Sequence, residues 1–162
     1  MPHYRKIETK IWNDEKFMSL SNLAKLSFLF TLTHPNMTSL GAMRSTIEGL
    51  ASELDVSMEV FMEAFDKGML KADLKAKLIY APNFLKYNRP ESPNVVKAWG
   101  SAYKMLPECP TKKAIFNQVF CITKQIDKSY KKGLKKGKPG GFVEVFKEAF
   151  AEDYAESVSS EQ

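Results

Sequence analysis

The sequence contains little cysteine and little histidine. Its 162 residues include two cysteines and two histidines. Cys109 and Cys121 do not form a CxxC pair, so neither a disulfide framework nor a zinc site is predicted, and we interpret both as reduced core thiols. His3 and His34 are far apart and lack a surrounding carboxylate pattern, which argues against a metal centre or a Cys/His nucleophile pair. No cofactor is expected.

Long hydrophobic runs are also missing. The longest apolar run, residues 26–32, is interrupted by Ser27 and Thr31 and is too short to span a bilayer. The opening MPHYRKIETK is charged and is not followed by an apolar stretch, which is unlike a secretory signal. We therefore expect no membrane contact and a location in the cytoplasm.

Charge is distributed unevenly along the chain. The net charge is +5, but residues 1–47, 48–70, 71–138 and 139–162 carry +3, −5, +12 and −5. A strongly basic block between two acidic segments concentrates positive potential where a polyanion would bind. The alternative is a set of solvated lysine-bearing helix faces. Because the basic segments contain no paired carboxylates at metal-ligand spacing, a DNA-cutting enzyme, or any other enzyme, is not expected.

Two elements are predicted before the basic block. Residues 4–12 mix charged residues with β-formers, which indicates an extended arm or a short edge strand. Ser19 or Ser21 can then cap a helix whose apolar residues surround most of it, so we expect this helix to be buried on more than one face. Pro35 and Asn36 end it.

The next segment predicts a tight pair of helices. After a short strand AMR, the Ser45-x-x-Glu48 pattern has the form of a capping box and begins a helix over residues 46–54. A three-residue turn at 55–57 follows. Ser57 is the expected N-cap of a second helix, which runs to about Lys67 and stops at Gly68.

A basic hairpin is predicted behind the helix pair. Residues 69–80 alternate loosely around a lysine-rich middle, and residues 83–87 form a final short strand or turn. A helix pair followed by a basic hairpin is the plan of a winged helix-turn-helix, which most often binds duplex DNA. The predicted fold is mostly α with a small β-wing, a winged helix-turn-helix with a C-terminal helical extension.

The extension is predicted from residue 95 onwards. Asn94 can cap a helix over residues 95–106, the PECP segment breaks it, and a long helix follows from Thr111 to about Tyr130. Its 4, 3, 4 apolar spacing resembles a helix-pairing seam, so the C-terminal helices are expected to offer a homodimer contact. A lysine-rich stretch at 128–138 is either a phosphate-binding loop or a solvated linker, and a last amphipathic helix begins near Phe142. The predicted domains are 1–94, 95–156 and a disordered tail at 157–162.

The second helix of the pair is poor in groups that read bases. It carries Glu59, Glu63 and Asp66 against Lys67 alone, and carboxylates are repelled by phosphates. We therefore interpret it mainly as a scaffold, with flanking segments that bind double-stranded DNA. The candidate DNA-binding residues are Arg5, Lys6 and Lys10 in the arm; Arg44 before the helix pair; Ser57 at the helix start; Lys71, Lys75 and Lys77 on the wing; and Lys86, Tyr87, Asn88, Arg89, Asn94 and Lys97 around the corner that follows.

Three segments resemble the N-terminal winged-helix domain of bacteriophage replication initiators, or replisome organisers. They are RKIETKIWNDEKF with LSNLAKLSFLF, LGAMRSTIEGLASELDVSMEVFMEAF, and above all NFLKYNRPESPNVVKAW. The resemblance covers residues 4–108 and implies binding to repeats at a replication origin by the corner residues. A separate C-terminal domain of such initiators recruits the host helicase or its loader. The chain ends at Gln162 without room for that domain, so we expect a fragment of an initiator, or a short phage or phage-satellite protein in a bacterial host.

Two further functions stay open at this point. A transcriptional regulator on the same fold would protect one promoter-overlapping operator, whereas an initiator would protect several spaced repeats. A protein-interaction adaptor of the replisome would carry its lysines only for solubility and would not bind random duplex at any salt concentration.

Overall fold

A computed structural model describes residues 4–131 and 141–159 of the chain. Within these ranges the fold is mostly helical with one three-stranded antiparallel sheet, in agreement with the coarse fold prediction. The described residues divide into two compact units. The N-terminal unit comprises residues 4–88 and 106–111, and the C-terminal unit comprises 89–105 and the described residues from 112 onwards.

The N-terminal unit surrounds a small sheet with short helices. Its elements are a 3₁₀ helix at Thr9–Asn13, α1 (Glu15–Met18), α2 (Asn22–Thr33), β1 (Ala42–Arg44), α3 (Ile47–Leu54), α4 (Met58–Asp66), β2 (Lys71–Asp73), β3 (Leu78–Tyr80) and α5 (Phe84–Tyr87). The helices α2, α3 and α4 pack against one another. The central strand β3 pairs antiparallel with both β1 and β2, which gives the order β1-β3-β2. Phe17, Leu50, Phe61 and Leu78 are fully buried in this core.

Hydroxyl side chains begin the three main helices of this unit. Ser21 Oγ accepts a hydrogen bond from the Ala24 N–H of α2 at 3.2 Å, and Ser57 Oγ accepts one from the α4 backbone at 3.4 Å, so Ser57 is the N-cap as predicted. The predicted capping box of Ser45 and Glu48 is wrong by one residue. Thr46 is the N-cap of α3, and its Oγ1 accepts from the Gly49 N–H, which leaves no glutamate at the reciprocal position.

The turn between α3 and α4 has the predicted three residues, 55–57. Asp55 lies in the left-handed region at φ 56°, and the Val56 N–H donates to the Ala51 carbonyl at 3.0 Å. This backbone bond satisfies a free carbonyl at the end of α3 and directs the chain sharply into α4.

The structure refines three predictions for this unit. Residues 9–13 form a 3₁₀ helix instead of an edge strand, because their backbone bonds are local, such as Ile11 N–H to the Glu8 carbonyl at 3.0 Å. The segment at 83–87 contains the helical turn α5 and no strand. In helix α2, which was expected to be buried on more than one face, Ala24 and Phe28 are buried, but Leu23 and Leu26 are 52% and 50% exposed.

The C-terminal unit is built from helices. They are α6 (Pro93–Lys104), α7 (Pro110–Lys131, from residue 112 in this unit), α8 (Phe142–Ala149) and α9 (Ala151–Ser159). Helices α6 and α8 pack closely, and a Cβ added at Gly100 would lie 2.7 Å from both the Cβ and the carbonyl oxygen of Ala149. The rings of Phe116, Phe146 and Phe150 fill the space beside them. Glycine at position 100 is therefore needed for this crossing.

The start of α6 and the end of the chain correct two predictions. Asn94 is not an N-cap, because Ser92 takes that position and Pro93 fills the first helical turn, where its missing N–H is harmless. The expected single last helix is two helices, α8 and α9. The expected disordered tail at 157–162 overlaps α9, which ends at Ser159, and residues 160–162 lie outside the described ranges.

The apolar seam of α7 is already used within the chain. Ile115, Val119, Ile122 and Ile126 are all buried, so these side chains offer no exposed stripe to a second copy, and the homodimer stays a prediction. Both cysteines are free thiols, but Cys121 is exposed, so its assignment to the core is wrong. Its position beside the buried Ile122 places it on the outer face of α7. Of the lysine-rich stretch 128–138, residues 132–138 lie outside the described ranges.

Candidate nucleic-acid interface

The hairpin of β2 and β3 carries three exposed lysines. Lys75 and Lys77 lie in its loop and Lys71 begins β2. A hydrogen bond and a left-handed backbone conformation define the shape of the loop. Asp73 Oδ1 accepts from the Ala76 N–H at 2.9 Å, and Lys77 adopts a left-handed backbone at φ 52°. The loop is therefore a defined turn with cations on its surface.

Strand pairing brings Arg44 to the same end of the sheet as this loop. Arg44 lies opposite Leu78 in the β1–β3 register, and the next residue, Ser45, donates its N–H to the Lys77 carbonyl at 2.9 Å. Arg44 is exposed. Arg44, Lys75 and Lys77 thus form one cluster, which we call the loop cluster, whereas Lys71 lies opposite Tyr80 at the other end of the β2–β3 pairing.

The N-terminal arm is fastened to the unit by Asn88. Its side-chain Oδ1 accepts from the Lys6 N–H at 3.1 Å, and its Nδ2 donates to the carbonyls of Lys6 at 3.3 Å and Phe84 at 3.1 Å. The Arg5 guanidinium donates to the Met37 carbonyl. Asn88 and Arg5, both predicted to bind DNA, therefore have intramolecular partners. The side chains of Lys6 and Lys10 remain on the surface of the arm.

Helix α4 uses one of its carboxylates inside the unit. Glu63 accepts from the Ser21 N–H at 2.8 Å and from the Ser21 hydroxyl at 2.7 Å, so it links α4 to the start of α2. These backbone and side-chain hydrogen bonds hold the pKa of Glu63 below its ordinary value of 4.5. Glu59 and Asp66 remain exposed, and hydrogen bonds from the backbone and from Ser57 also lower the pKa of Glu59. The exposed face of α4 is acidic at neutral pH.

The candidate residues of the corner fall in both units. Lys86 and Tyr87 belong to α5 of the N-terminal unit, where Lys86 Nζ lies 5.4 Å from the centroid of the Tyr87 ring and that tyrosine is 45% exposed. Arg89, Asn94 and Lys97 belong to the C-terminal unit and are all exposed, the last two on the first turns of α6.

A cavity in the N-terminal unit was not predicted from the sequence. It has a volume of about 450 Å³ and lies between the arm and the core. Its apolar wall includes Phe28, Leu32 and Phe84, and Lys10 and Lys16 contribute cations. No sequence pattern indicates it, because the cavity is lined by residues of the arm and of the core that are distant in the chain.

The described residues contain no group of three or more His, Cys, Asp or Glu side chains placed to hold a metal ion. Over the same ranges, no helix has the length and apolar character required to cross a membrane. Comparison with protein-family models, curated proteins and solved structures finds no match to the chain.

Proposed function

We propose that the N-terminal unit is a winged helix-turn-helix domain that binds double-stranded DNA without catalysing a reaction. The observation that carries the proposal is the connection between the loop cluster and the helix pair. The hairpin follows directly on α4, and β1 pairs with β3 immediately before α3 begins. Three exposed cations are thereby held on a rigid frame, and such cations supply most of the affinity of proteins for duplex DNA.

The role of α4 in this proposal is to support the loop cluster. Its exposed carboxylates Glu59 and Asp66 disfavour close approach to phosphates, and the helix has no arginine, asparagine or glutamine for base readout. Lys6 and Lys10 of the arm, with Lys71, Lys86 and Tyr87, provide further surface groups of the N-terminal unit. Arg89, Asn94 and Lys97 of the C-terminal unit supply additional donors.

The biological role that we propose is initiation at a phage or phage-satellite replication origin. It is supported by the resemblance of NFLKYNRPESPNVVKAW to the DNA-binding domain of replisome organisers, and it places the protein in the cytoplasm of a bacterial host. A helicase or a helicase loader is a proposed partner in this role.

A titration on random 30-bp duplex tests DNA binding itself. If about six cations contact phosphates, the logarithm of the association constant falls with the logarithm of salt concentration with a slope of roughly −5. No retention of duplex at 50 mM salt would reject the proposal. Incubation with plasmid and Mg²⁺ then tests for cleavage, which the proposal excludes.

A footprint on the native genome separates the proposed role from that of a transcriptional regulator. An initiator is expected to protect several spaced repeats, and a regulator one promoter-overlapping operator. The acidic face of α4 favours the second candidate function, a protein-interaction adaptor with a basic partner surface. An adaptor would bind no duplex in the titration.

A further inference from the structure

Leu74 is an unusual residue for the position it occupies. It is the first residue of the four-residue hairpin loop, between β2 and Lys75, and it is 72% exposed. A leucine that is mostly in water contributes little to folding, and hairpin loops are normally polar. The backbone that carries it is nevertheless defined, because the Asp73 hydrogen bond and the left-handed Lys77 shape the loop on either side of Leu74.

The charges around Leu74 indicate what it would contact. Lys75 and Lys77 follow it within the same loop, and Arg44 lies at the same end of the sheet. A single apolar side chain among cations fits the minor groove of DNA, where the phosphates of both strands line a slot about 6 Å wide. Proteins that bind there insert leucine and similar residues between base steps and bend the duplex.

We propose that Leu74 is a wedge that enters the minor groove and bends the DNA, with the loop cluster on the flanking phosphates. This inference rests on the proposed DNA binding. It adds that the minor groove is the site of contact, that Leu74 is the residue inserted there, and that the duplex is bent. The wedge predicts that the protein prefers flexible DNA sequences, because unstacking a base step costs less at TA steps than in stiff A-tracts.

The test uses the full chain and two 24-bp duplexes of identical base composition, one with alternating TA steps and one with A-tracts. Each duplex carries a donor and an acceptor dye at its ends, so that bending raises energy transfer. We expect wild type to bend the alternating duplex. Leu74→Ala should lose most of that change and bind the alternating duplex about tenfold more weakly, because it removes a leucine side chain that the DNA would bury. Binding to the A-tract duplex should change by less than about twofold, since little wedge insertion is expected there.

Two matched variants and an unfolding measurement separate the effect of the Leu74 side chain on bending from effects of charge and of stability. Lys75→Gln should weaken binding to both duplexes by a similar factor and keep the bend, because it removes a phosphate contact. Leu74→Phe should retain the bend, since phenylalanine also serves as a wedge. Thermal unfolding of Leu74→Ala should match wild type, because the side chain is exposed.

The outcomes are distinguishable. Binding of wild type without bending, or bending by Leu74→Ala equal to that of wild type, would overturn the wedge and leave the proposed DNA binding intact. Binding of neither duplex would overturn both. If sedimentation shows a dimer that Leu74→Ala dissociates, Leu74 belongs to a contact between copies and the wedge is rejected.

Discussion

Lys77 has a backbone conformation that suits glycine better than lysine. Its φ of 52° lies in the left-handed region, where a non-glycine residue costs about 1–2 kcal/mol. Glycine loses about 0.5–1 kcal/mol more backbone entropy on folding. We therefore expect Lys77→Gly to raise the free energy of unfolding by about 0.5–1 kcal/mol, measured by urea denaturation, and to reduce the magnitude of the salt slope of duplex binding by about one.

Lys75→Gly is the matched control for this prediction. It removes the same charge from the same loop, but Lys75 does not have a positive φ. It should destabilise the protein by about 0.5–1 kcal/mol while it changes the salt slope equally. Equal destabilisation by both glycine variants would show that the conformation of Lys77 stores no strain.

Glu63 makes the stability of the protein depend on pH. Its pKa is lowered from 4.5 by the hydrogen bonds from Ser21, so the folded state binds this proton less readily than the unfolded chain. The stabilisation is fully present above the unfolded value and is lost as the pH falls through the folded value. We expect Glu63→Gln to lower the free energy of unfolding at pH 7, with a difference from wild type that shrinks below about pH 4.5.

Asp66→Asn provides the control on the same helix. Asp66 is exposed, and it is one of the two carboxylates on the outer face of α4. The variant removes one negative charge without touching Ser21, so it should change the free energy of unfolding by less than about 0.5 kcal/mol. A loss as large as that of Glu63→Gln would assign the effect to net charge instead of the Ser21 contact.

Residue roles were predictable where the interaction is local in sequence. Ser57 was identified as an N-cap because its hydroxyl and the Val60 N–H that donates to it are only three residues apart. Glu63 was counted among the carboxylates that phosphates repel, with no partner predicted, and the structure gives it a partner 42 residues away. Nothing in the spacing of Glu63 or Ser21 indicates that contact, because it arises from the packing of α2 on α4.

The N-terminal arm depends on the hydrogen bonds of Asn88. Both the N–H and the carbonyl of Lys6 bond to its amide, which imitates a strand pairing. We expect Asn88→Ala to release the arm, so that the Lys6 amide exchanges with solvent faster and trypsin cleaves more rapidly after Lys6 and Lys10. Loss of these bonds should lower the free energy of unfolding by about 1–2 kcal/mol.

Asn94→Ala is the corresponding control, since it makes the same substitution at an exposed position on α6. It should leave amide exchange and cleavage in the arm unchanged. Unchanged protection of Lys6 in Asn88→Ala would mean that other contacts hold the arm.

Elements were predictable where turns and caps lie close together. The three-residue turn between α3 and α4 and the hairpin behind it follow from short-range patterns, and both are present. The arm was predicted as an extended segment or an edge strand because its composition favours β structure, but neither edge of the sheet pairs with it, and local 3₁₀ bonds form at residues 9–13. Strand prediction failed here because pairing is a tertiary property.

The segregation of charge is a property of the whole molecule that the sequence displayed directly. The sequence could not show which of these charged residues lie close together in the folded protein. Strand pairing joins Arg44 to Lys75 and Lys77 across more than 30 positions of sequence, whereas Asn88 and Arg5 are committed to the arm. Some candidate residues are therefore exposed cations, and others make hydrogen bonds within the chain. An experiment on charge must separate the effect of a direct phosphate contact from the effect of the net charge of the protein.

Two double variants make that distinction, because each lowers the net charge of the whole molecule from +5 by two. Lys75→Gln with Lys77→Gln removes cations of the loop cluster, and Lys104→Gln with Lys113→Gln removes exposed cations of the C-terminal unit. Lys104 and Lys113 are not among the candidate DNA-binding residues, so they serve as the control for net charge. We expect the loop variant to reduce the magnitude of the salt slope by about two and the other variant by much less than one. Equal changes in slope would mean that duplex binding follows net charge alone, and the loop cluster would then have no special part in it.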